Sequence, residues 1–121
     1  MFTRTLIVGA ALALSTAAFA VPAQISDSAY IQAERCQALF ASSSLGREAN
    51  PALDQLIKEQ SASRIQAAYD RGQEAHETAA RQARAAGPDE KTQLIAERDG
   101  VCHSLTASAD AAGSGSAGRT N

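Results

Sequence analysis

The sequence predicts an all-α fold: a small up-down helical bundle with one disulfide, preceded by a cleaved signal peptide. Three observations point to it. Apolar residues recur at steps of three and four in each segment long enough to form an element, which is the pattern of an amphipathic helix. No run of Val, Ile, Thr or aromatic residues alternates with period two, so the strand signal is absent. The two cysteines, Cys36 and Cys102, each fall within an apolar stripe.

Residues 1–20 read as an export signal. Arg4 supplies the positive start, Leu6 to Leu14 the apolar run, and Ala18-Phe19-Ala20 a small-x-small cleavage site. The apolar run is shorter than the ~20 residues needed to span a bilayer. Cleavage after Ala23 is the weaker alternative, and no Cys follows either site to take a lipid anchor. The expected destination is the periplasm or the exterior. The organisation is then a signal peptide over 1–20, a helical domain over 21–109 and a disordered Gly/Ser tail over 110–121.

The first helix is expected over 27–43. Ser26 or Ser28 can cap it, and Ala29, Ala33, Cys36, Leu39 and Phe40 form its apolar stripe, widened by Tyr30 and Ile31. Glu34 and Arg35 are placed outside that stripe. Ser42-Ser43-Ser44 and Gly46 end the helix. The next start is Asn50-Pro51, a good cap followed by a residue suited to the first helical position. Leu53, Leu56, Ile57, Ile65 and Tyr69 continue on one face. Small residues at Gly72, Ala75, Ala79, Ala83 and Ala86 then keep the same spacing until Gly87-Pro88 stops the run. The last helix opens at Pro88-Asp89-Glu90, with acidic side chains at the positive end of its dipole. Leu94, Ile95, Arg98, Val101, Cys102 and Leu105 form its stripe.

Export places the two cysteines in an oxidising compartment, where pairing is the default. A Cys36–Cys102 bond decides between two architectures. One straight helix over 51–86 would be about 54 Å long and would hold the cysteines about 18 Å apart along its axis. A disulfide needs Cα atoms within about 7 Å. The preferred reading therefore breaks the long segment at Asp70-Arg71-Gly72-Gln73 and yields helices 27–43, 51–70, 73–86 and 89–107. The alternative is three helices, the central one long. In the four-helix version the third helix, which has no large apolar side chain, is a thin Ala-faced cover.

Composition narrows the function. The chain carries a net charge of −2, or −3 once Arg4 is removed, with no basic run, so nucleic acid and anionic membrane surfaces are poor partners. No segment after the signal is apolar enough to span a membrane. His76 begins a His-Glu pair, but position 80, where a zinc-protease motif needs a second His, is Ala. His103 follows Cys102, but position 99, where a haem-attachment motif needs a Cys, is Asp. Met1 is the only methionine, which removes a methionine-based copper(I) site. Ser42 to Ser44 lack the strand-turn-helix setting of a nucleophile elbow. No catalytic residue, metal site or cofactor is therefore expected.

The leading expectation is a non-enzymatic exported protein of the bacterial envelope that acts through protein–protein contact, with a protein partner or a second copy in a homodimer. Tyr30, Phe40 and Tyr69 are expected in the core, and any one of them found exposed becomes the natural anchor of a partner surface. The Ala/Gly stripe from Gly72 to Ala86 is the other expected contact face. One alternative is a metal- or small-ligand-binding bundle using His76 and His103. Another is a periplasmic stress chaperone, because an exported helical domain with one disulfide is similar in plan to small periplasmic acid-stress chaperones.

Overall fold

A computed structural model describes residues 24–107, so the expected signal segment and the whole of the expected tail lie outside the described residues. Within them the chain forms four α-helices and no strand: α1 (Asp27–Ala41), α2 (Pro51–Ser61), α3 (Gln66–Ala85) and α4 (Pro88–Glu97). A 3₁₀ turn, Ser43–Leu45, follows α1, and a π-helical segment, Arg98–Cys102, continues α4. Helical backbone then carries on over 103–107.

The helix starts follow from local chemistry. The Ser26 hydroxyl accepts from the Ala29 N–H at 3.1 Å and caps α1. Asn50 Oδ1 accepts from the Leu53 N–H at 3.1 Å and caps α2, with Pro51 in its first turn. Gly46 turns the chain after the 3₁₀ turn with φ of 73°, a left-handed conformation that glycine adopts without the steric cost of a Cβ.

The long segment does break, as the four-helix reading requires, but not at Gly72. The break is at 62–65. There, serine hydroxyls take carbonyls at the end of α2: Ser61 donates to Lys58 O at 3.1 Å and Ser63 to Gln60 O at 3.2 Å. Arg64 fixes the turn. Its guanidinium donates to Ile25 O at 2.6 Å and to Gln60 Oε1 at 2.7 Å, pairs with Asp27 at 2.7 Å, and lies over the Tyr30 ring at 5.2 Å. Gly72 serves another purpose. It is buried in the middle of α3, and a Cβ there would lie 2.8 Å from Tyr30 Cε1 and 3.1 Å from Glu34 Cγ. The glycine is needed for close approach of two helices, not for a turn.

The helix expected to be a thin cover is accordingly the main neighbour of α1. Tyr30 meets Gly72, Glu34 meets Gln73 and His76, Arg35 meets Gln82, and Ser44 meets Ala83, so α1 and α3 run parallel. Gly72, Ala79 and Ala83 are buried along this seam. The small-residue stripe expected to be free for a partner is thus used within the chain. The pairs Ile25–Gln60 and Gln37–Asp54 show that α2 returns antiparallel to α1. Alternation of direction makes this an up-down bundle, with α1 as the helix that the others share. The core draws most heavily on α1 (Tyr30, Ala33, Cys36, Leu39, Phe40), and Leu45, Leu53, Ile57, Leu94 and Cys102 join it. Each large apolar side chain buried there contributes roughly 1.5–3 kcal/mol.

Cys36 and Cys102 are bonded, with Cα atoms 5.5 Å apart and a sequence separation of 66. The π-helical segment explains how Cys102 reaches the core. Leu94, Arg98, Cys102 and Thr106 are the buried positions of this last helix, spaced uniformly by four. An α-helix has 3.6 residues per turn, so each four-residue step drifts by ~40°. A wider turn at 98–102 absorbs that drift and keeps all four positions on one face. The same rephasing turns Val101, expected in the stripe, out to 56% exposure.

Two arginines fasten this helix. Buried Arg98 donates to Leu45 O at 2.8 Å and Gly46 O at 3.0 Å, and pairs with Glu48 and Asp99 at 3.2 and 3.0 Å. Arg35 forms a two-pronged pair with Glu97, at 2.6 and 2.9 Å, and donates to Gln82. Hydrogen bonding from Arg35 holds the Glu97 carboxyl below its ordinary value. A depressed folded-state value means that this pair stabilises the fold above the unfolded carboxylate value and that the contribution is lost on acidification. Replacement Glu97→Gln should therefore flatten the decline in Tm as pH falls below ~4.3, measured by thermal melts across the acid range.

Candidate functional site

Four features could carry function, and each is set by which elements meet α1. The first is a polar cluster at the α1–α3 seam. Glu34, expected outside the core, is only 3% exposed. It accepts from the Tyr30 hydroxyl at 2.9 Å and from Gln73 Nε2 at 3.3 Å, and His76 Nδ1 lies 3.6 Å from its second oxygen. Burial first, and the hydrogen bond to Glu34 second, push the Tyr30 phenol far above its usual value, so it stays a donor. His76 Nδ1 also lies 3.2 Å from the backbone oxygen of Glu34. A carbonyl can only accept, so Nδ1 carries the hydrogen and Nε2 is the nitrogen left for other contacts.

The second feature surrounds His103. Its ring stands edge-on to Phe40, with centroids 5.5 Å apart. One ring nitrogen, one Glu48 carboxylate oxygen and one Asp99 carboxylate oxygen lie within 4.8 Å of one another, the one such trio of ligand-type side chains among the described residues. Arg98 already pairs with both carboxylates, so a buried guanidinium offsets half of their charge. His76 is not in that trio. The two histidines expected to act together are thus found in separate settings, His76 on Glu34 and His103 on Phe40.

The third is a groove between the end of α1, the following loop and α3. A cavity of about 180 Å³ is lined by Ala38, Ala41, Ser42, Ser43, Arg47, His76, Ala80 and Arg84. Its floor is alanine and its polar wall is basic or hydroxylic, with no carboxylate. Arg47 Nε donates to Ala41 O at 3.0 Å, which anchors the guanidinium at the end of α1. A second, larger cavity of about 400 Å³ adjoins it, shares Ala41, Arg47 and His76, and is also lined by Glu48 and Asp54.

The fourth is an exposed apolar pair one helical turn apart. Ile65 is 68% exposed and Tyr69 38% exposed at the start of α3. Tyr69, expected in the core, is instead displayed, while Tyr30 and Phe40 are buried as expected. Ile65 occupies the N-cap position of α3 and makes no side-chain cap bond. Ser, Thr, Asp or Asn there would stabilise the helix by roughly 1 kcal/mol.

Sequence reasoning missed Glu34, Arg47, Arg64 and Arg84. A signal existed for some of them. Tyr30 and Glu34 are four apart, and His76, Ala80 and Arg84 share one face of α3 at the same spacing. Comparison with known proteins adds nothing to the geometry: no protein-family model, curated protein or solved structure matches the chain.

Proposed function

We propose that this is an exported, non-enzymatic helical protein of the bacterial envelope that works through contact with another protein, with Ile65 and Tyr69 as the anchors. The observation that carries this reading is Ile65. An apolar side chain stands uncapped and exposed where a polar one would stabilise α3, and an aromatic residue stands beside it. Aromatic side chains with exposed apolar neighbours are the usual centres of binding energy at protein interfaces. The Cys36–Cys102 bond supports the compartment, because disulfides persist where the environment is oxidising.

The test is a pair of variants, Ile65→Ser and Tyr69→Ser, used with the purified protein as bait in envelope extract and in sedimentation runs. Neither change touches the core: Tyr69→Ser should move stability by less than ~0.5 kcal/mol, and Ile65→Ser should raise it by roughly 1 kcal/mol through the new cap on α3. A specific partner, or self-association, should weaken by about 30-fold when Tyr69 is truncated, corresponding to a loss of ~2 kcal/mol. A monomer that retains no partner, or a partner held equally by both variants, would remove the proposal.

A further inference from the structure

We propose that the groove between α1 and α3 is a binding site for a small oxyanion, a phosphate or a short dicarboxylate, held by Arg47 and Arg84 in the cavity that His76 also lines. The chemistry of the lining is one-sided. In a chain whose net charge is −2, this cavity gathers two guanidinium groups and an imidazole and admits no carboxylate. Its volume, about 180 Å³, is comparable with cavities that accept a benzene-sized molecule. Ala38, Ala41 and Ala80 create the space, since larger side chains at those positions would fill it.

The hydrogen-bond pattern leaves donors pointing at the groove. Arg47 spends only Nε on the Ala41 carbonyl, and its terminal nitrogens make no hydrogen bond among the described residues. An anchored guanidinium with two free terminal nitrogens matches the geometry of a carboxylate or phosphate, which it can hold through two parallel bonds. Arg84 makes no hydrogen bond or ion pair among the described residues and lines the same cavity from the last turn of α3. The serines divide their roles. Ser44 donates to Ala83 O at 2.7 Å, so the Ser42–Ser44 contact at 2.9 Å uses the Ser42 hydrogen. Ser43 is then the hydroxyl donor left on the rim.

His76 bounds the groove on the α3 side. Its Nδ1–H is given to the Glu34 carbonyl at 3.2 Å, which fixes the ring against α1. The carboxylates of Glu48 and Asp54 line the adjoining cavity and not this one.

The experiment is a titration of the disulfide-bonded protein with inorganic phosphate, with succinate and with neutral glycerol, followed by amide chemical shifts. Saturable shifts confined to Ala41–Arg47 and His76–Arg84 are expected with phosphate, with succinate or with both. Phosphate alone would mark an inorganic or phosphoryl ligand, and succinate alone an organic acid. Arg47→Gln and Arg84→Gln should each weaken binding at least about tenfold, while Arg71→Gln, an exposed arginine outside the groove, should change it less than about twofold. Each variant is first shown to melt as the parent does; should one fail, the parent's own titration and Arg71→Gln still decide. No saturable shift with either anion, equal shifts with glycerol, or affinity unmoved by Arg47→Gln and Arg84→Gln overturns the proposal.

Discussion

Reduction of the Cys36–Cys102 bond is expected to lower stability by about 2–4 kcal/mol and Tm by about 10–30 °C. The size follows from the loop. The bond joins positions 66 residues apart, and the chain-entropy cost of closing such a loop in the unfolded state is about 4 kcal/mol, reduced by whatever structure the unfolded chain retains. The loop encloses α2, α3 and α4, so its removal frees the unfolded ensemble of nearly the whole domain. The core has little to offset that loss, because much of it is alanine. Thermal melts with and without reductant measure the effect. The double variant Cys36→Ala/Cys102→Ala should melt with the reduced protein and ignore reductant. A Tm that reductant leaves unchanged in the parent would show that the two helices are not covalently joined.

Substitution at Gly72 is expected to have the next largest effect, with a sign opposite to that of helix propensity. Alanine is favoured over glycine in a helix interior by roughly 1 kcal/mol. At Gly72 its Cβ would meet Tyr30 Cε1 at 2.8 Å, and Tyr30 is fully buried with its hydroxyl fixed on Glu34, so the ring cannot swing away. Overpacking of this kind costs roughly 1–3 kcal/mol. Gly72→Ala should therefore lose about 1 kcal/mol net, and Gly72→Leu about 3 kcal/mol or more, as α3 is pushed off α1. Gly100 is the control. Nothing lies within 4 Å of a Cβ built there, so Gly100→Ala should be neutral or stabilising. Denaturant unfolding of the three variants against the parent tests this. A Gly72→Ala protein as stabilised as Gly100→Ala would mean that the two helices do not approach closely.

These two expectations mark what was legible in the sequence and what was not. The starts of α1, α2 and α4 were readable because capping is local chemistry: Ser26, Asn50-Pro51 and Pro88-Asp89-Glu90 act within one turn. The disulfide was readable because only two cysteines exist and each lay on an apolar stripe. The place of the break was not. Gly72 looks like a helix end when only its own propensity is considered, but its partner Tyr30 lies 42 residues away. The true break at 62–65 is held by Arg64 reaching back to Ile25 and Asp27, a tertiary cause without local mark. Val101 was misplaced because a uniform 3.6-residue period was assumed through Gly100, where the helix widens.

The candidate sites divide in the same way. Glu34 seemed an outward charge because the stripe it adjoins was drawn narrow; the parallel packing of α3 covers it with Gln73 and His76. The groove gathers side chains from α1, the loop and α3 that are up to 46 positions apart, between Ala38 and Arg84. Tyr69 and Ile65 continued an apolar face on paper, but the turn at 62–65 reorients that face to solvent.

The account rests on α1 serving as the shared helix, with α3 laid parallel along it through Gly72. The most direct measurement is the nuclear Overhauser effect between the Tyr30 ring protons and the Gly72 α-protons in the disulfide-bonded protein. A strong cross-peak, with helical shifts unbroken from Gln66 to Ala85, is the predicted result. Absence of that cross-peak together with a helix end at Gly72 would contradict it.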